Sequence, residues 1–414
     1  MTSTAATQLL RHSSLDSHAH LTLDALGAAA TILLPRPSRH SIKATVMRAG
    51  TSKGIYIQRD QLPVNPERWT SILPLLMGSP DPFGRQLDGL GGGTSTTSKL
   101  AITSKSSNPE LADIDYLFVQ ASITSNGLDM TGNCGNILSG VGPYAYEEGL
   151  LPRQTLNGQV SLVLRCLNNG SRIRSTFSVQ NGLPVEDGDM VVDGVSARGS
   201  PIKLDFLAPA GSMTSGLLPT GHAVDHLHVA PLPLPVEVSC VDAANPFCFV
   251  QLSSLLLPGE SESDSGIDPT VLAARVESVR RAASVAMGLA KDTLEAAKTL
   301  GTPKLCLIQE CTPQVGHIRT QSWSMGRPHP SLQLTGAVCV AAAIHTPGTL
   351  LHRMVARQTG GRIPTDVLKI AHPCGVIKAT ANVLRGPDGG IIVESATLFR
   401  TARRLFQGDA FYVS

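Results

Sequence analysis

Aromatic side chains occupy only 4% of this 414-residue sequence. That leaves little material for stacking nucleic-acid bases. Basic residues scarcely outnumber acidic ones, 34 to 32, so the electrostatic footprint of a nucleic-acid binder is missing as well. No apolar run reaches the roughly 18 residues of a membrane span. The eight cysteines, at 134, 166, 240, 248, 306, 311, 339 and 374, show no paired metal-ligand spacing. Most lie within apolar runs, where cysteine acts as a small core residue of a reducing compartment. These shortages point to a cytoplasmic globular protein with no nucleic-acid, membrane or metal partner.

Glycine and proline are plentiful, with 39 and 28 residues, as many short strands joined by tight turns require. The length allows two or three domain-sized units. Residues 1 to about 40, rich in Ser, Ala and His, are expected to form a poorly ordered N-terminal extension. Ala25 to Pro35 has the length of a signal-peptide core, but Asp16 and Asp24 precede it and no basic segment adjoins it. Arg11, Arg36 and Arg39 leave a mitochondrial presequence as the alternative.

The stretch Gly89-Leu-Gly-Gly-Gly-Thr-Ser-Thr-Thr-Ser-Lys99 organises the rest. Its glycines leave backbone N–H groups bare, and its lysine runs into the apolar Leu100-Ala101-Ile102. A lysine buried at a strand end has its pKa lowered from ~10.4 toward neutrality, where it can accept a proton. A phosphate-binding P-loop needs Gly before the lysine and Ser or Thr after it; Ser98 and Leu100 stand there instead. A flexible loop with a solvated lysine is the plainer alternative.

Strands are expected at Lys43 to Met47 and Ile55 to Ile57, around the turn Arg48-Ala-Gly-Thr-Ser-Lys-Gly54. That turn either concentrates donors for an anion or is a solvated hairpin tip. Pro66 to Met77 has helical spacing, and strands follow near Leu100 to Thr103 and Tyr116 to Ala121. Met130-Thr-Gly-Asn-Cys-Gly-Asn136 then opens a run of small and apolar residues that suits a buried helix. Cys134 thus falls at a helix N-terminus. There a thiol becomes more acidic, or the free N–H groups hold a carboxylate, or the cysteine is structural. Strand-period alternation covers Val160 to Leu167, Arg174 to Val179, Met190 to Val192 and Ile202 to Phe206. The Pro- and His-rich segment 219–236 marks the boundary between halves. His222, His226 and His228 within it lack both ligand spacing and a nearby acidic cluster.

The second half echoes the first. Asp242-Ala-Ala-Asn-Pro246 repeats the strand-turn-strand plan, and Lys304 enters an apolar strand as Lys99 does. Thr335-Gly336 precedes a buried helix as Thr131-Gly132 does, while Asp268-Pro269 opens a long helix to about Thr299. Landmarks recurring in one order imply a first lobe over 41–230 and a second over 231–414, with a cleft between them.

These segments resemble the PrpF family. The resemblance rests on Met47 to Gly54, the Gly91 to Lys99 loop, Thr131 to Asn136, Asp242 to Pro246, Thr335-Gly336-Ala337 and His372-Pro373-Cys374-Gly375. It implies an α+β, diaminopimelate epimerase-like fold of two pseudo-symmetric lobes, each a β-barrel-like wrap around a central helix. It also implies a cofactor-independent isomerase acting on an unsaturated tricarboxylate such as cis-aconitate or 2-methylaconitate. The family's lysine base falls on Lys99, its cysteine on Cys134 and its turn serine on Ser52. Substrate contacts are expected from Arg48 and Thr51 of the turn, from Gly93, Thr94 and Ser95 of the loop, and from the helix start at Gly135 and Asn136. Lys304, Thr335 and Gly336 complete the set. Matching Thr335-Gly336 to Thr131-Gly132 sets Val338 opposite Cys134, which disfavours a two-thiol racemase. Cys374 stands where the family has serine. Alternatives are a keto-acid tautomerase of the oxalomesaconate type, a cysteine hydrolase pairing Cys134 with His345 or His372, and a non-catalytic tricarboxylate-binding protein. The implied fold also leaves a homodimer open.

Overall fold

Strand alternation and short turns produce one long ribbon of paired strands. It is seen here in a computed structural model that describes residues 38–261, 267–386 and 390–413. The main strands of the first half are β1 (Arg39–Ala49), β2 (Ser52–Gln58), β3 (Lys99–Lys105), β4 (Ile114–Ala121), β5 (Gly158–Cys166), β6 (Arg172–Gln180) and β7 (Ile202–Leu207). Those of the second half are β8 (Val236–Asp242), β9 (Pro246–Gln251), β10 (Lys304–Gln309), β11 (Ile318–Ser324), β12 (Leu368–His372), β13 (Gly375–Arg385), β14 (Ile391–Arg400) and β15 (Ala402–Val413). Four helices matter: α1 (Gly135–Glu147), α2 (Pro269–Ala286), α3 (Leu334–His345) and α4 (Leu350–Gln358). The expected extension lies outside the described residues except at its end, where Arg39 and His40 already belong to β1.

The echo between halves is visible in the hydrogen-bonding order. From β1 to β6 the neighbours pair antiparallel, parallel, antiparallel, parallel, antiparallel. From β8 to β13 the same succession recurs. Strands far apart in sequence also join the halves: β7 lies antiparallel to β14, and β15 returns to lie along β1.

Each succession of strands curves around one helix. The helices α1 and α3 are apolar on all sides because they are walled in on all sides, so their composition shows no polar face. Every residue of α1 from Gly135 to Tyr146 is buried, as is every residue of α3 from Leu334 to Ile344. Small residues allow the approach: a Cβ on Gly140 would meet the Tyr56 hydroxyl at 2.5 Å, and that hydroxyl donates to the Ile137 carbonyl.

Some expected elements differ. The long helix ends at Ala286, because Gly288 adopts a left-handed φ of 72° and Asp292 caps a separate turn at Thr293–Ala296. Pro66 to Met77 divides into a 3-10 turn, Pro66–Ser71, and a short helix, Leu73–Met77, since Pro74 has no N–H to continue the first turn. Met190 to Val192 makes only one bridge, Met190 to Gly199. No single described helix is long and apolar enough to cross a membrane.

Gly54 sets how closely β2 can lie to β3 and α1. A Cβ there would sit 2.8 Å from the Lys99 carbonyl oxygen and 2.7 Å from Ile137 Cδ1. Gly54→Ala is therefore expected to destabilise the fold by about 1–3 kcal/mol, read as a lower midpoint in chemical denaturation.

Candidate active site

Helices normally begin with a side chain that caps their free N–H groups. Asp268 does this for α2, accepting from Thr270 and Val271. The two central helices are exceptions. Cys134 stands at the cap position of α1 and Gln333 at that of α3, and neither side chain makes a capping bond. The first intrahelical bonds run from Leu138 N–H to Cys134 O and from Ala337 N–H to Gln333 O. Three N–H groups at each start are therefore free of helical partners. The two starts also meet: a Cβ on Gly135 would lie 2.7 Å from Leu334 Cβ. Two positive helix ends at close quarters form a site for an anion.

Around these starts is a cavity lined by Ser52, Ser95, Lys99, Cys134, Gly135, Asn136 and Lys304, with Phe118, Gln120, Asp129, Asn133, His329 and Gln333. Lys99 is 7% exposed. Its Nζ donates to Gln120 Oε1 at 2.6 Å and lies 5.0 Å from the Phe118 ring centroid. Gln120 is oriented by its own donation to Ser98 O at 2.8 Å. Lys304 is 8% exposed; its Nζ donates to Gly301 O at 3.2 Å and lies 5.9 Å from the Phe247 centroid. Burial, opposed by the field of Asp129 and aided by the neighbouring lysine, brings the Lys304 ammonium down to about 8. His329 is held near 4 by burial and is therefore neutral.

Buried polar atoms without a protein partner collect at this place. On the cavity's lining residues these are Ser52 Oγ, Asn133 Nδ2 and both amide atoms of Gln333. Buried polar groups are ordinarily satisfied, so such a concentration marks a surface built for a polar ligand.

The structure redistributes the expected contacts. Arg48 is not in the cavity: its Nη1 donates to Gly50 O at 3.1 Å and Thr401 O at 2.8 Å, bracing the turn. Gly93 and Thr94 also lie outside. The Gly93 N–H donates to Gln86 Oε1 at 2.9 Å, and Thr94 Oγ1 bonds the hydroxyls of Thr96 and Thr97. The glycine loop is thus a packing device, for a Cβ on Gly91 would meet Met77 O at 2.5 Å. Thr335 and Gly336 lie inside the first turn of α3, buried and off the cavity wall. Aligning the helix starts sets Gln333, not Val338, opposite Cys134. The sequence match slipped because the second helix begins before its Thr-Gly pair and the first begins after its own. Cys339 donates to the Val241 carbonyl at 3.3 Å, and burial pushes its thiol well up, so Cys134 remains the cavity's thiol.

Thr51 accepts from Asn136 Nδ2 at 2.9 Å and bonds Ser331 Oγ at 3.3 Å. Beyond this wall is a second cavity of about 550 Å³, lined by Thr51, Ser331, His372 and the buried Arg400. His372 faces that cavity, and His345 ends α3, so neither lines the cavity of Cys134. The residues that sequence reasoning missed, Gln120, Asp129, His329 and Gln333, are ordinary polar residues in strands and loops without a motif.

An α+β chain with two matching strand successions, each around a buried helix, has the diaminopimelate epimerase-like fold. It is shared with a hydroxyproline epimerase from Agrobacterium vitis at a TM-score of 0.50 and 12% identity, over 90% of this chain and 92% of that one. Within that class the chain belongs to the PrpF family, whose model, described as PrpF protein, matches residues 39–413. It is 34% identical to the 2-methyl-aconitate isomerase of Cupriavidus necator over 89% of this chain and 96% of that protein. The crystal structure of methylitaconate-delta-isomerase superposes with a TM-score of 0.71 and 32% identity, covering 91% of this chain and 96% of that one.

Cys374 is exposed and Cys134 and Cys311 are half-buried, whereas Cys166, Cys240, Cys248, Cys306 and Cys339 are buried; burial raises the Cys311 thiol, which donates to Gly316 O at 3.1 Å and so reacts slowly. Brief treatment of the native protein with iodoacetamide is expected to label Cys374 and Cys134, and tricarballylate to protect Cys134 alone. Peptide mapping by mass spectrometry reads both.

Proposed function

We propose that this chain is an isomerase that moves a proton, and with it a double bond, within an unsaturated tricarboxylate such as cis-aconitate or 2-methylaconitate. The observation that carries this reading is one cavity holding a sheltered amine, a thiol and two uncapped helix starts. The activities named for its relatives support it.

Lys99 takes an allylic proton alpha to one carboxylate and vinylogous to another. The electron pair left behind spreads as a dienolate onto carboxylate oxygens. The N–H groups of Gly135 and Asn136 meet that charge, and a donor of this kind is typically worth ~3 kcal/mol in the transition state. Re-protonation at the other end of the allylic system gives the positional isomer; rotation about the relaxed bond gives the geometric one. Cys134 orients the reacting carbons or takes part in proton transfer, and Ser52 and Ser95 offer hydroxyls to the carboxylates. The step changes neither oxidation state nor hydration, so it balances without a redox cofactor.

In deuterated buffer the protein is expected to convert cis-aconitate or 2-methylaconitate to an isomer carrying deuterium, followed by NMR. Lys99→Ala should abolish exchange of the allylic proton; retained exchange would remove Lys99 from the role of base. Cys134→Ser should lower turnover by roughly tenfold or more, and unchanged turnover would make the thiol structural.

A further inference from the structure

Lys304 was expected to clamp a carboxylate, but its position in the fold is that of a second Lys99. In the parallel pair of β2 and β3, Lys99 lies opposite Gly54 at the first rung. In the parallel pair of β9 and β10, Lys304 lies opposite Phe247, again at the first rung. Both amines line the same cavity, one from each of the two equivalent strand successions. On the next strand the likeness ends. Lys99 faces Gln120 across the β3–β4 ladder, and that amide carbonyl holds its Nζ at 2.6 Å. The corresponding ladder of β10 and β11 begins at Leu305 with Trp323, so Ser324 is next along it. Its short side chain replaces the amide, and Lys304 Nζ has Gly301 O at 3.2 Å as its hydrogen-bond partner. Lys304 also makes no ion pair within 4.0 Å among the described residues.

We infer that Lys304 is the second proton-transfer group of the site, returning a proton to the carbon at the far end of the allylic system from the one Lys99 deprotonates. This inference rests on the isomerase reading above. In the first step the C–H bond breaks, its proton becomes an N–H of Lys99, and its electron pair enters the dienolate. In the second, an N–H bond of the Lys304 ammonium breaks and a new C–H bond forms. Lys99, now charged, and Lys304, now neutral, reset by proton exchange with solvent, so no proton is gained or lost overall. An ammonium brought down to about 8 by burial is still charged at neutral pH yet gives up its proton more readily than an exposed lysine.

The test is Lys304→Arg, which keeps the positive charge but does not release a proton near neutral pH. Isomer formation should fall about a hundredfold or more, while KM changes by no more than about threefold. Deuterium should still wash into recovered substrate through Lys99, which also shows that the variant is folded. Lys304→Gln should show the same exchange without isomerisation. In the wild type, kcat should fall as pH rises through about 8, where the ammonium is lost, and the Arg variant should lack this limb. An Arg variant that isomerises at the wild-type rate would return Lys304 to the role of clamp. Loss of exchange together with isomerisation would also overturn the inference, because Lys304 would then act in proton removal. Absence of exchange in the wild type would instead overturn the isomerase reading itself.

Discussion

The constraint on which the site depends is the meeting of two helices at their uncapped ends. A helix start left without a side-chain acceptor and held out of water is costly unless something else satisfies its N–H groups. Here α1 and α3 both begin this way, and Gly135 is small enough for Leu334 to pack directly against it. The surrounding strands hold the two positive ends together in spite of their mutual repulsion. An anionic ligand, and more so a transition state whose charge has spread onto carboxylate oxygens, relieves that repulsion and satisfies the N–H groups. Stability withheld from the empty protein is thereby released on binding.

The strand pairings explain why the two lysines come together there. In each half a parallel pair delivers its outgoing strand at the level of the helix start, and the first residue of that strand is lysine. The same topological step performed twice supplies two amines to one place. Their neighbours differ, an amide carbonyl for Lys99 and a backbone carbonyl for Lys304. Asp129 completes the local charge. It accepts from Thr131 N at 2.8 Å, and its other oxygen lies where a Cβ on Gly301 would collide. Its carboxylate thus sits beside the loop that holds Lys304 and limits the net positive charge of the cavity.

Much of this was legible in the sequence, since burial and strand period leave plain marks. The hairpin at Gly50, the strand entries at Lys99 and Lys304, the buried helix after Cys134 and the repeat of that plan could all be read from residue patterns. What could not be read was which donors face inward. Arg48 seemed suited to a carboxylate by its chemistry, yet a backbone carbonyl 353 residues away, Thr401 O on the C-terminal return, holds it, and no local motif announces that contact. Gly93 was expected to contact substrate, but its N–H is taken by Gln86, and the smallness of Gly89 and Gly91 serves close packing against Met77 and Gly78. Thr335-Gly336 misled because the same dipeptide precedes one helix and lies inside the other. Gln333 and Gln120 carry no signature at all; the start of α3 brings the first to the cavity and the β3–β4 register brings the second.

A crystal structure of the protein with bound tricarballylate tests the central claim most directly. One carboxylate is expected on the N–H groups of Gly135 and Asn136, with the carbon skeleton lying between Lys99 Nζ and Lys304 Nζ. A ligand bound instead in the cavity of Arg400, with neither amine in contact with it, would contradict the account.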